Sequence, residues 1–176
     1  MVFGKLVSGS EKNEQTRQVA DIRSRVLEEE CGLKIEAEPE AFCMYALAYE
    51  RDTPVATGGI TFDGESYRIQ EVAVLPEFRR KKYGDFIVRL LIDKAMLSGA
   101  QTIEADVLQG AEILFQKVGF AEAGTWYEKE GRQWQPMQLQ TGNIHKCCNC
   151  GQEEWGMRQL EFFSVPNYIK RTEKVV

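Results

Sequence analysis

At 176 residues, with 43% hydrophobic and 28% charged side chains, the chain is sized for one folded domain with room for a small appendage. Its net charge of −5 excludes a general basic field for nucleic acid. No apolar run approaches the ~18 residues of a membrane span, and the start Met1-Val2-Phe3-Gly4-Lys5 lacks the layout of a secretion signal, so the expectation is a cytoplasmic protein without a membrane partner.

Phe3 to Val7 reads as a first strand. From about Asn13 to Glu30, Val19, Ile22, Val26 and Leu27 recur at helical spacing, with Ser10 or Asn13 to cap the start and Gly32 to end it. Phe42–Tyr49 and Val55–Phe62 form an expected hairpin, and the turn Asp63-Gly64-Glu65-Ser66 leads into a strand over Tyr67–Leu75. Pro76 stops that strand, and Ile87, Leu90, Leu91 and Ala95 mark a helix from about Tyr83 that closes at Ser98-Gly99. Thr102–Val107 is a further strand, Ala111–Val118 a short helix, and Phe120–Glu130 and Gln133–Leu139 the last strands. The order predicts an α/β (α+β) protein, a mixed, mostly antiparallel sheet flanked by helices, over residues 1–140. After Gly142 the composition turns to Cys, Gly and aromatics, which marks 141–176 as an extension.

Against the acidic background Arg79, Arg80, Lys81 and Lys82 stand together where a strand runs out towards a helix. A helix start has free N–H groups and a partial positive charge, so an anion site is one reading. A solvated helix start is the other.

The segment Val72-Ala73-Val74, Pro76, Arg79 and Gly84 resembles the strand–loop–helix of GNAT N-acyltransferases. Leu114-Phe115-Gln116-Lys117-Val118-Gly119-Phe120 is similar to that family's Phe-Tyr-x-Lys-x-Gly-Phe segment. Ile22 to Glu30 and Gly124 to Met137 resemble stretches of one bacterial branch, and the likeness covers about residues 3 to 140. It implies acetyl-CoA as cosubstrate, with the backbone of Val72, Ala73 and Val74 pairing with the pantetheine arm like an added strand. It also implies that Arg79, Arg80, Lys81, Lys82, Tyr83, Gly84 and Asp85 cradle the pyrophosphate, and that a bulge splays the strand from Thr102–Val107.

Three positions depart from the family pattern. Arg80 and Lys82 stand where glycines are usual, and lysine at 82 fits if its φ is negative. Phe115 replaces a tyrosine that often protonates the departing thiolate, and Leu108 replaces a polar residue, often Asn. An amine must lose a proton before attacking a thioester. Glu71 is the candidate base, against a salt-bridged strand carboxylate as the plain alternative. Alternation points it to the face opposite Gln70 and Val72. Glu104 and Asp106 are weaker alternatives.

Five cysteines in a chain without an export signal argue against a disulfide framework. His145, Cys147, Cys148 and Cys150 could hold zinc in one chain, two chains could share a site, or Cys147 and Cys150 could form a redox pair. Reduced thiols without metal are the favoured reading, and Cys31 and Cys43 read as core.

The leading expectation is transfer of an acetyl group from CoA to a primary amine, on a small molecule or a peptide, in a ternary complex. The aromatic tail leaves a homodimer open. The rival is a non-catalytic acyl-CoA-binding or partner-binding protein on the same fold, motivated by Phe115 and the missing loop glycines.

Overall fold

The computed structural model describes residues 1–35 and 42–143. Strand β1 (Val2–Ser8) leads into helix α1 (Glu14–Arg23), whose start is fixed by a reciprocal cap. Asn13 Oδ1 accepts from Thr16 N at 3.0 Å, and Thr16 Oγ1 accepts from Asn13 N at 2.9 Å, so Asn13 and not Ser10 is the cap. From Ser24 to Glu30 the helix widens into π-helical turns, with Cys31 N donating to Val26 O at 3.2 Å. Gly32, at φ 67°, ends it as expected: the Leu33 amide reaches back to Leu27 O at 2.8 Å, a closure that needs a left-handed residue.

Strands β2 (Phe42–Glu50), β3 (Thr53–Phe62) and β4 (Tyr67–Val74) follow as antiparallel neighbours. A 3-10 turn (Pro76–Phe78) and a loop lead to α2 (Tyr83–Leu97), then β5 (Thr102–Leu108) and α3 (Glu112–Lys117). The single strand expected over Phe120–Glu130 is two short ones, β6 (Ala121–Glu122) and β7 (Tyr127–Lys129), before β8 (Arg132–Gln140). Glu130 (φ 55°) and Gly131 (φ 69°) make the β7–β8 turn, where two successive positive φ values match the right-handed twist of the strands.

Among the described residues the eight-stranded sheet runs β1-β2-β3-β4-β5-β8-β6, with β7 also on β8, and only β4 and β5 are parallel. Period-two alternation divides β2 between two cores. Tyr45, Leu47 and Tyr49 pack with Val19, Ile22 and Val26 of the first helix. Ala46 and Ala48 face Ile87, Val88 and Leu91 of α2, all three fully buried. Burying each such side chain contributes ~1.5–3 kcal/mol.

Cys43 is buried as expected, whereas Cys31 is half-exposed at the end of the π turn. Among the described residues no helix is long and apolar enough to cross a membrane. Of the extension only the 3-10 turn Thr141–Asn143 is described; His145, Cys147, Cys148 and Cys150 lie outside the described residues.

Candidate active site

The site begins with an irregularity in β4. Thr57 faces Ala73 and Gly59 faces Gln70, so Gly58 alone stands opposite both Glu71 and Val72. This is a bulge, and Glu71 sits in it at φ 55°. A left-handed backbone costs a residue with a Cβ about 1–2 kcal/mol. Gly58 is required opposite it: a Cβ there would lie 2.7 Å from Ile87 Cγ2 and 3.2 Å from Leu91 Cδ1. The bulge breaks the alternation assumed from sequence. Ile69, Val72 and Val74 pack with the α2-side core, while Gln70 and Glu71 both line a cleft on the other face. The expectation that Glu71 points away from Gln70 is therefore corrected.

The same bulge opens a slot. The β4–β5 ladder spans only Tyr67–Ile69 against Ile103–Ala105 and then stops. Leu75 N donates to Val55 O at 3.0 Å, so its neighbour Val74, facing Ala56, turns its own N–H and C=O to the opposite edge, towards the gap. The Val74 carbonyl there accepts from Arg79 Nε at 3.1 Å.

Beyond Pro76 the chain enters α2 through a basic loop. Arg80 (φ 62°) and Lys82 (φ 67°) are both left-handed, so the condition of a negative φ at 82 is overturned. Lys82 is the helix N-cap and makes no side-chain cap bond. Among the described residues the amides of Arg80 through Asp85 find no partner, and the first α2 bond is Phe86 N to Lys82 O at 3.0 Å. A row of unfilled N–H donors at a helix start fits a diphosphate. Gly84 lets α2 approach α3, since a Cβ there would meet Leu114 Cδ2 at 3.2 Å.

The four cations of the loop divide into two pairs. Arg79 grips Glu30 with two hydrogen bonds of 2.7 and 2.6 Å, which hold the Glu30 carboxyl below the usual carboxylate range. Lys81 lies 3.3 Å from Glu50 and 5.0 Å from the Phe78 ring centroid, and its contact likewise lowers Glu50. Arg80 and Lys82 are exposed and have no carboxylate partner among the described residues. The two cations left open to an anion are thus the two whose backbones are left-handed. Of the other expected loop residues, Tyr83 is buried and Asp85 pairs with Arg89 at 2.9 Å.

The cleft beside Glu71 has a volume of about 370 Å3 and lies between the end of the first helix, β4, β5 and the β7–β8 hairpin. Arg23 Nη2 is 2.7 Å from Glu71 Oε2, with the Arg23 side chain 7% exposed and that of Glu71 19%. Arg68 bridges β4 to β5, reaching Asp106 at 2.5 Å and Glu104 at 2.7 Å, so both alternative bases are already paired with a cation. Tyr127, on the hairpin, is a phenol pushed up by burial and by Asp106, and it stays protonated. The hairpin is tied to the rim of the first helix: Lys34 N donates to Glu130 Oε2 at 3.0 Å and Arg132 to Cys31 O at 2.8 Å.

Phe115 is buried and meets Phe120 edge-on at 5.3 Å, so it fills core and offers no proton. Arg23 lies within the Ile22–Glu30 stretch of resemblance, and its place in the site comes from the structure alone. A signal was present, because Val19, Ile22, Arg23 and Val26 fall on one helical stripe and an arginine there requires a buried partner. Gly58-Gly59 in mid-strand likewise marks a bulge.

The strand split at a bulge and a donor-lined loop at a helix start define an acyl-CoA-type transferase scaffold. Residues 11–120 match the model of the Acetyltransferase (GNAT) family, and the chain belongs to that family. It is 25% identical over 117 residues to the Bacillus subtilis (strain 168) protein named "Putative acetyltransferase BSU40680", a match covering 63% of this chain and 80% of that one. Among solved structures, Escherichia coli ElaA superposes with a TM-score of 0.70 at 17% identity, covering 80% of this chain and 100% of that one. A Bacillus subtilis acetyltransferase in complex with CoA superposes at 0.58 and 19% identity, covering 78% and 99%.

Proposed function

We propose that the protein transfers an acetyl group from acetyl-CoA to a primary amine held in the cleft beside Glu71. The observation that carries this reading is the opening of β4 from β5 at the Glu71 bulge, directly ahead of the unfilled amides of Arg80 to Asp85. Cleft, free strand edge and anion cradle then follow one another along the chain, at Glu71, Val74 and Arg80 to Asp85.

The loop amides, with the Arg80 and Lys82 side chains, hold the diphosphate. The outward edge of β4 at Val74 aligns the pantetheine arm, and the Val74 N–H donates to the thioester carbonyl as negative charge develops on it. Acetyl-CoA supplies the acyl group as a thioester. Glu71 takes one proton from the ammonium, the freed nitrogen bonds to the acyl carbon, and the carbon–sulfur pair leaves with sulfur. The second nitrogen proton neutralises the thiolate, so the products are an N-acetyl amide and free thiol. A thiol of pKa ~8.5 leaves without a dedicated acid, which suits a chain with phenylalanine at 115.

The acceptor is an amine on a small molecule or a peptide. The rival, an acyl-CoA-binding protein without turnover, draws on Phe115 and on Arg79 and Lys81 being engaged by carboxylates. Calorimetric titration with acetyl-CoA and hydrogen exchange decide between them and the enzyme reading. Binding is expected, with new protection of the amides from Arg80 to Asp85. Thiol release should then rise when primary amines are added. No binding at millimolar acetyl-CoA refutes both readings, and binding without thiol release across a broad amine panel favours the rival.

A further inference from the structure

We propose that Arg23 is a positioning residue for catalysis, which fixes one oxygen of Glu71 so that the other faces the acceptor. The inference rests on Glu71 being the base. Arg23 Nη2 is 2.7 Å from Glu71 Oε2, an oxygen with no solvent exposure. The contact is off hydrogen-bond geometry, so Oε2 and Arg23 Nε both lack a hydrogen bond. Oε2 is thus the sealed oxygen, while the Glu71 side chain as a whole is 19% exposed and lines the cleft. The Arg23 guanidinium lies 5.0 Å over the Tyr45 ring, which is itself 1% exposed, and this contact helps to hold it in place.

The energetics argue against a purely structural pair. A buried ion pair regains its desolvation cost only when its remaining groups are satisfied, and apolar replacements of similar size are often as stable. Here two atoms go unsatisfied, and the carboxylate also sits on a left-handed backbone. Three unfavourable features meet at one pair of residues, beside a cleft, where the surrounding structure holds strain for a purpose other than stability. That purpose is the aim of one carboxylate oxygen. Arg23 is delivered by the last residue of α1, immediately before the helix widens at Ser24.

The test is a double-mutant cycle on the full chain, read as acetyl-CoA thiol release. The acceptor is the fastest of phenethylamine, spermidine and an alanyl peptide. Glu71→Gln should lower kcat about 100-fold, the lower bound for a positioned base. Arg23→Met should lower kcat about 10-fold or more with KM for acetyl-CoA unchanged, and Arg23→Lys should recover part of that loss. In the Glu71→Gln background Arg23→Met should change kcat less than about 2-fold, because nothing remains to be aimed. If Glu71→Gln leaves kcat intact, the base reading fails and this inference with it. If Glu71→Gln slows turnover but Arg23→Met acts equally in both backgrounds, or has no effect in either, only the role of Arg23 is overturned. Should Arg23→Met not fold alone, Arg23→Lys in both backgrounds makes the same comparison: a kcat loss confined to the Glu71 background supports the role, and equal effects refute it.

Discussion

Replacing Lys82 by glycine should make the protein more stable while weakening its hold on acetyl-CoA. Lys82 caps α2 at φ 67° with no side-chain hydrogen bond to offset the conformation. Relieving a left-handed residue recovers ~1–2 kcal/mol. The greater freedom of glycine in the unfolded chain takes back about 0.4–1 kcal/mol. The net gain is about 1 kcal/mol, or roughly 2–4 °C in Tm for a chain of this size. Lys82→Ala is the control, since it removes the same charge and keeps the Cβ. Thermal and urea melts should place Lys82→Gly above the parent and Lys82→Ala at or below it. Calorimetric titration should show both binding acetyl-CoA more weakly. If alanine stabilises as much as glycine, the strain argument is wrong and charge is the cause. If binding is unchanged in both, the Lys82 side chain does not face the diphosphate.

Three further outcomes test the frame around the site. Gly58→Ala should destabilise by about 1–3 kcal/mol through overpacking, because its Cβ would lie 2.7 Å from Ile87 Cγ2; a urea melt with an unchanged midpoint would refute the tight crossing at the bulge. The Glu30 carboxyl is held low by Arg79, so its stabilising contribution is complete at neutral pH and is lost as the pH falls through its folded value. The Tm gap between the parent and Glu30→Gln should therefore be small but present at pH 7, since the pair is about two-fifths exposed, and should close from about pH 4 downward. Arg68→Met would leave Glu104 and Asp106 as like charges on one face of β5, so it should cost about 1 kcal/mol in a urea melt at low salt and less at high salt. A loss that salt leaves unchanged would assign the role of Arg68 to packing.

The strands, both long helices and the basic turn into α2 were legible because each rests on local signals. Val19, Ile22 and Val26 recur at helical spacing, Asp63-Gly64 marks a turn, and Pro76 ends a strand whatever lies across the molecule. The family was legible for a related reason, since its motif is one continuous strand, loop and helix. What β4 does at Glu71 was not legible from β4 itself, because the bulge depends on the absence of a side chain at Gly58, on another strand.

Sequence alone determined that cations gather where a helix begins, and that a carboxylate stands on the strand before it. Tertiary structure decided which cations remain open, because Glu30 and Glu50, brought in from the first helix and β2, engage Arg79 and Lys81 and leave Arg80 and Lys82. It also decided which face Glu71 takes and that Arg23 stands behind it. Pairing between charges distant in sequence depends on the three-dimensional path of the chain, and no local pattern of residues encodes that path.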